Sequence, residues 1–380
     1  MKKVLVHGYF RDNLGDDLFF RVLARRYPHV MFYIPTTRWD YREKFADIKN
    51  IRIIDFLKIA KVTAHKVYLL PKLYSRLHMG RFDAVVCIGG SLFIDRRNPT
   101  PNDRVEAEKY SFICDWEYAQ KAGVPYYVLG VNWGPCYNDY FYHYFDRAFD
   151  SLADLCFRDR ASFEAFSHKA NARCAGDILM DHPMLRSRGE SVPKKRQLAV
   201  SPVDPAGKSE APCDAGRYYG ALASLCAEAA AQGYEVKLLS FCKDEGDERA
   251  VGEILSRTGN SGRITAVYYR HNWEALVRTL AESELIVSSR FHGTVIGWTV
   301  GVPVYSVTYS QKTVSLIRDC GFHSGFTKIE NLGELAFETV RQEAILPQNR
   351  ERFSGARRAF EKLDGLLKEE EQYEHSAGAE

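Results

Sequence analysis

Short apolar runs alternate with longer stretches of helical period along nearly the whole chain, and this alternation leaves few folds open. The runs fall at 3–9, 30–35, 50–56, 84–90, 125–131 and 152–159, with segments such as DDLFFRVLARRY between them. Strand-sized runs separated by amphipathic helices predict βαβ units and a mostly parallel sheet. Near residue 187 the texture changes to SRGESVPKKRQ, polar and proline-containing, as a linker is. A second series follows: LAVSPVD, a helix over 214–232, EVKLLSFC, a helix over 245–258, ITAVYYR, NWEALVRTLAES and LIVSS. A chain of 380 residues exceeds one ordinary core. The expected architecture is therefore α/β, with two doubly wound Rossmann-like domains over 1–188 and 189–348 facing a cleft. A charged amphipathic helix and tail follow over 349–380.

In open parallel sheets, ligands bind beyond the carboxyl ends of the strands, so residues just after each run are the candidates for chemistry. Net charge narrows the partner. Lys and Arg number 52 against 49 Asp and Glu, a balance of +3, so nucleic acid is not an expected partner and any anion must be met locally. Nine cysteines without a C-x-x-C pair, and an opening apolar run too short for a secretory signal, predict a cytoplasmic protein. No H-E-x-x-H and no Cys/His cluster is present, so no metal is expected.

Six strand ends stand out. After LIVSS come Arg290, His292 and Gly293, then a helix; a helix N-terminus with an arginine fork suits phosphate or carboxylate, and a histidine moves protons near neutral pH. Gly293 would let the backbone approach a ligand. Lys312 stands at the end of the next strand. The loop GYFRDNLGDDLF over 8–19 places Asn13 and Asp16 between the first strand and helix, as a turn and cap or as a substrate-facing loop. Gly89, Gly90 and Ser91 follow a strand directly, where glycines expose backbone amides; IDRRNPTPNDRVEAEKY beyond them has the composition of a lid. GVNWGP over 130–135 ends another strand. Arg158 ends the sixth, where it either meets a ligand or pairs with Asp159 or Asp177.

Two further stretches have competing explanations. The basic segment 57–81 suits either an anionic lipid surface or a solvated helix face. The aromatic segment 137–149 suits either sugar stacking or core packing.

Taken in order, GYFRDNLGDD, the strand-GGS stretch, GVNWGP, FRDRAS, Asp177 and SSRFHGTVIGWTVGVPVYSVTYSQKT resemble the polysaccharide pyruvyl transferase family. The sharpest block is Arg290-Phe291-His292, then Gly301-Val302-Pro303, then Tyr309 to Lys312. The resemblance implies a fold like that of GT-B glycosyltransferases. It also implies transfer of pyruvate from phosphoenolpyruvate to two sugar hydroxyls as a cyclic ketal, in surface polysaccharide biosynthesis. Phosphoenolpyruvate is then the donor substrate, no cofactor is needed, and the acceptor is a glycan, commonly lipid-linked or polymeric. Contact with the inner membrane face follows as an expectation. Arg290 and His292 are implied as donor-site residues, Arg290 gripping phosphate or carboxylate and His292 supplying the proton; Arg158 and Lys312 are carried over with them. Three positions depart from the family pattern: Phe291 for leucine, GGS for GGG, and Asn132-Trp133 where Gln-x-Gly-Pro is frequent. The residues by themselves also suit a nucleotide-sugar glycosyltransferase of the same fold, or a non-catalytic phosphosugar-binding protein.

Overall fold

The computed structural model describes residues 1–36, 38, 40–55, 69–95, 115–206, 213–259, 261–333, 335–348 and 355–368. Thirteen strands are formed among them: β1 Lys3–His7, β2 Met31–Thr36, β3 Ile51–Asp55, β4 Ala84–Ile88, β5 Tyr126–Val131, β6 Asp154–Phe157, β7 Ala172–Cys174, β8 Lys195–Ser201, β9 Glu235–Ser240, β10 Ile264–Tyr268, β11 Ser283–Ser288, β12 Val304–Thr308 and β13 Phe326–Lys328. The longer helices are α1 Leu14–Arg26, α2 Leu69–His78, α3 Trp116–Ala122, α4 Asp139–Asp150, α5 Pro183–Glu190, α6 Ala215–Ala231, α7 Asp247–Arg257, α8 Trp273–Glu282, α9 Phe291–Thr299, α10 Gln311–Asp319 and α11 Glu361–Leu367.

Two compact units result. The first comprises Met1–Phe10, Phe19–Ile178 and Arg357–Glu380; the second comprises Arg11–Leu18 and Leu179–Ala356. The first holds a seven-stranded sheet in the order β3-β2-β1-β4-β5-β6-β7, the second a six-stranded sheet in the order β10-β9-β8-β11-β12-β13. Every neighbouring pair in both is parallel. The winding reverses between β1 and β4 in one sheet and between β8 and β11 in the other, so each unit has its own switch point, the place where doubly wound sheets bind ligands.

The central strands are apolar throughout because helices cover both faces. All five residues of β4 and all six of β5 are buried. Val6 registers with Val86, and Val287 with Val200. The aromatic segment is core: Tyr144, Phe145 and Phe149 on α4 are buried, with Phe145 5.0 Å from Phe93 between ring centroids. β7 and β13 escape a sequence reading, being three residues long and at most half-buried, with no apolar run to announce them.

The unit boundaries differ from the expected 188 in three places, each with a local cause. The first unit ends at Ile178, because the following residues belong to the second core: Thr299 Oγ1 donates to the Leu179 carbonyl at 3.2 Å, and Gly189 on α5 lies so close to Val300 that a Cβ would stand 2.3 Å from its carbonyl oxygen. The segment Arg11–Leu18, the end of the β1–α1 loop with the first turn of α1, groups with the second unit, since the Leu14 N–H donates to the Phe241 carbonyl at 3.0 Å. The C-terminal segment groups with the first unit. Its described part is two short helices, Gly355–Arg358 and α11, with 349–354 and 369–380 outside the described residues.

α11 is held by Asp364. Its carboxylate accepts from Arg26 through both Nε, at 2.8 Å, and Nη2, and from the Tyr27 hydroxyl at 2.7 Å. Leu363 and Leu367 bury completely below it. Burial by itself would raise the Asp364 pKa, but the hydrogen bonds from Arg26 and Tyr27 outweigh it and hold the carboxyl below its ordinary value. A carboxyl lowered by folding stabilises the fold above its unfolded pKa of about 3.9, and that contribution disappears as pH falls through the folded value. Asp364→Asn should therefore cost on the order of 1–2 kcal/mol at neutral pH. Chemical denaturation of both proteins across pH should show the difference shrinking below about pH 4.

Candidate functional site

In the second unit, β11 runs into Ser289 and Arg290, and Arg290 caps α9 with an extended backbone, so His292 is the second residue of that helix. The turn is built on hydroxyls. Ser288 Oγ donates to the Arg290 carbonyl at 2.7 Å and lies 2.7 Å from Ser201 Oγ at the end of β8; the Tyr218 hydroxyl lies 2.8 Å from Ser289 Oγ. Gly293 is required by this packing. A Cβ there would stand 2.2 Å from Ser288 Oγ and 2.6 Å from Ser201 Oγ, so the missing side chain admits the strand hydroxyls.

Arg290 is buried, with a finding the sequence reading did not anticipate. Its Nε donates to both Asp247 oxygens, at 3.0 and 2.9 Å, its Nη2 also reaches Asp247, and its Nη1 donates to Glu245 Oε2 at 2.5 Å. Asp247, fully buried at the first position of α7, further accepts the N–H groups of Phe241 and Cys242, both at 2.9 Å. Burial opposes the guanidinium charge, but Asp247 and then Glu245 outweigh it and hold the Arg290 pKa well above its ordinary value. The fork expected to face a donor is thus occupied by carboxylates. The signal for them was legible, since KDEGDE follows β9 directly.

His292 packs against the loop Arg11–Leu18. A Cβ on Gly15 would stand 1.7 Å from His292 Nδ1, so only glycine lets the loop lie on the imidazole. The loop is fixed from the other side. Asn13 bridges Cys242 as an isolated β-pair, Cys242 Sγ donates to the Arg11 carbonyl at 3.1 Å, and the Tyr269 hydroxyl donates to Asp17 at 2.8 Å. Asn13 Oδ1 accepts the Gly15 N–H at 3.1 Å, and Asp16 is buried in the same turn. Asn13, Asp16 and His292, far apart in sequence, therefore belong to one cluster. Just past the end of β12, Lys312 Nζ stands 5.6 Å from the centre of the Tyr309 ring.

Gly15→Ala should separate shape from chemistry here. The added methyl must displace either the ring or the loop by more than 1 Å, a misplacement that costs about 10²-fold in turnover at a reacting group. Thermal melting should show a folded protein, and steady-state kinetics the loss.

The first unit carries a second cluster at the carboxyl ends of β4, β5 and β6. The Arg158 guanidinium lies over Gly90, where a Cβ would stand 2.4 Å from Nη1. Nη1 donates to Asp177 Oδ2 at 3.1 Å, and Nη2 donates to Asn132 Oδ1 at 2.6 Å and Ser91 Oγ at 3.4 Å. Ser91 Oγ also donates to Asn132 Oδ1 at 3.1 Å, and Gly89 beside it has a left-handed φ of 131°. Of the two alternatives for Arg158, the structure contains the pairing with Asp177; Asp159 instead caps a short helix by accepting from the Ser162 N–H at 2.9 Å. Trp133 is part of the aromatic core, 4.9 Å from Phe166.

At the end of β1 lies a group that no motif announced. His7 Nε2 is 2.9 Å from Asp115 Oδ2, and the Tyr126 hydroxyl donates to Asp115 Oδ1 at 3.1 Å. Burial would raise the Asp115 pKa, but its neighbours, His7 foremost, hold it below the ordinary value. The lid expected over 94–110 lies, from residue 96 on, outside the described residues, as does 57–68 of the basic segment. No described helix is long and apolar enough to cross a membrane.

The fold is shared with solved sugar-nucleotide proteins at low identity. A UDP-GlcNAc 2-epimerase from Neisseria meningitidis bound to UDP-GlcNAc matches 97% of this chain and 100% of its own, with 11% identity and a TM-score of 0.58. The UDP-GlcNAc 2-epimerase from Methanocaldococcus jannaschii matches 94% and 98%, with 12% identity and a TM-score of 0.56. Anabaena Alr3699/HepE in complex with UDP and glucose covers all of both chains, with 12% identity and a TM-score of 0.54. Among curated proteins, the amylovoran biosynthesis protein AmsJ from Erwinia amylovora is 22% identical over 271 residues, 66% of this chain and 63% of AmsJ. The model of the family described as polysaccharide pyruvyl transferase matches residues 13–311, a span that opens at Asn13 in the loop on His292 and closes at the start of α10. The chain belongs to the polysaccharide pyruvyl transferase family.

Proposed function

We propose that this transferase moves pyruvate from phosphoenolpyruvate onto two hydroxyls of a glycan, forming a cyclic ketal during surface polysaccharide synthesis. The observation that carries the reading is the family match over residues 13–311, which contains both Gly15 and the helix start it packs against. The name of AmsJ, an amylovoran biosynthesis protein, supports a polysaccharide product.

The donor is a small molecule with a carboxylate and a phosphate. The first turn of α9 offers backbone N–H groups and the positive end of the helix dipole, and Lys312 at the start of α10 adds a compact cation. Arg290 acts as a positioning residue, bound to Asp247 and Glu245 and setting the turn through its own carbonyl and the Ser288 hydroxyl. His292 is the general acid. It protonates the terminal enol carbon, leaving positive charge on the carbon that bears the phosphate oxygen. One sugar hydroxyl attacks that carbon and its proton returns to His292. The C–O bond to phosphate then breaks, the second hydroxyl closes the ring, and its proton leaves with phosphate. Two hydroxyl protons thus balance one new C–H bond and one protonated phosphate.

The test is incubation of the full chain with phosphoenolpyruvate and a panel of synthetic and lipid-linked glycosides, following phosphate release and the mass of the glycan. Phosphate released in step with a mass gain on one glycoside is the expected result. Sugar transfer from a UDP-sugar, with phosphoenolpyruvate inert throughout, would replace the reading with a nucleotide-sugar glycosyltransferase.

A further inference from the structure

The chain as a whole is nearly neutral, but one stretch is not. Between Asp55 and Asp83 there is no acidic residue, and Lys58, Lys61, Lys66, Lys72, Arg76 and Arg81 all fall inside it. The described part of this stretch contains α2, which turns Ser75 inward, and Met79 just beyond its end is buried as well. On its outer side, one helical turn apart, Leu73 is 50% exposed and Leu77 66% exposed. Arg76 lies between them and Arg81 just beyond, both exposed. Few large apolar side chains are this open among the described residues, and these two share a face. A solvated helix face has no use for paired exposed leucines, and an unoccupied apolar patch of this kind marks a surface that something covers.

We infer that α2 is the docking face of this protein for an anionic lipid bilayer, with Leu73 and Leu77 entering the headgroup boundary and Arg76 and Arg81 meeting lipid phosphates. Charge selects the occupant. Arg76 and Arg81, in a stretch of sequence without an acid, complement a surface of uniform negative charge, where each cation adds attraction and the exposed leucines add apolar burial. A second copy of this chain would present the same cations, and like charges would oppose each other across a two-fold contact.

The experiment is co-sedimentation of the full chain with large vesicles of phosphatidylglycerol and phosphatidylcholine, against vesicles of phosphatidylcholine alone. Binding to the anionic vesicles, weakened by added salt, is expected. Arg76→Ala with Arg81→Ala should lower the partition constant roughly 30-fold, and Leu73→Glu with Leu77→Glu should abolish binding. Both pairs should retain the wild-type melting profile, because these side chains face outward. Phosphoenolpyruvate binding should be unchanged in both, so a failed donor reading and a failed docking face give different results. Three outcomes overturn the inference: wild-type protein left in the supernatant of the anionic vesicles, variants that sediment like wild type, or sedimentation velocity showing that the leucines hold a dimer that does not bind vesicles.

Discussion

Arg290→Ala should destabilise the second unit by about 3–5 kcal/mol, among the largest effects of any single substitution in the chain. Among the described residues, this side chain supplies the charged donors that reach Asp247, and Asp247 is fully buried. Removing the guanidinium leaves that carboxylate, among the described residues, with the N–H groups of Phe241 and Cys242. A double change distinguishes positioning from donor gripping. Arg290→Met with Asp247→Asn removes both charges at similar volume, so most of the lost stability should return. If Arg290 only sets the turn, phosphoenolpyruvate affinity in this stable double variant stays within several-fold of wild type. A 100-fold weaker Kd in a protein with a wild-type melting profile would return Arg290 to the donor-gripping role that the family resemblance suggests.

His292→Gln should lower turnover by about 10²–10⁴-fold, the range for a group that transfers a proton in the transition state. Glutamine keeps a hydrogen-bonding end of comparable reach but carries no acid. Its shape also respects the close approach of Gly15 better than a larger residue would. Phosphoenolpyruvate binding should then change little while kcat collapses. Equal losses in affinity and rate would mean that the imidazole only holds the donor, and the proton would need another source.

Much of this was readable in the residues. Central strands were visible because a parallel sheet covered on both faces needs unbroken apolar runs, as in β4 and β5. Edge strands β7 and β13 were not, since three half-exposed residues have no period. Site residues were found one strand end at a time, which is why Gly90, Ser91, Arg158 and Asp177 were singled out separately although they form one network. Their joining depends on strand order, which local pattern does not contain. The reason for Gly293 was likewise hidden: its neighbours are Ser201 and Ser288, on a strand far back in the sequence and on the strand before it. Arg290 was read as free because a sequence displays a cation without its partners, and Asp247 lies 43 residues away. The contact of Gly15 with His292 spans the longest separation in the site and left no trace in either motif taken alone.

The central claim, that the helix start after β11 receives phosphoenolpyruvate, is met most directly by titration calorimetry of the full chain with phosphoenolpyruvate, a UDP-sugar and inorganic phosphate. Saturable heat with phosphoenolpyruvate, weakened by Gly15→Ala and absent with the UDP-sugar, is the predicted result. Saturable heat with the UDP-sugar alone would contradict the account.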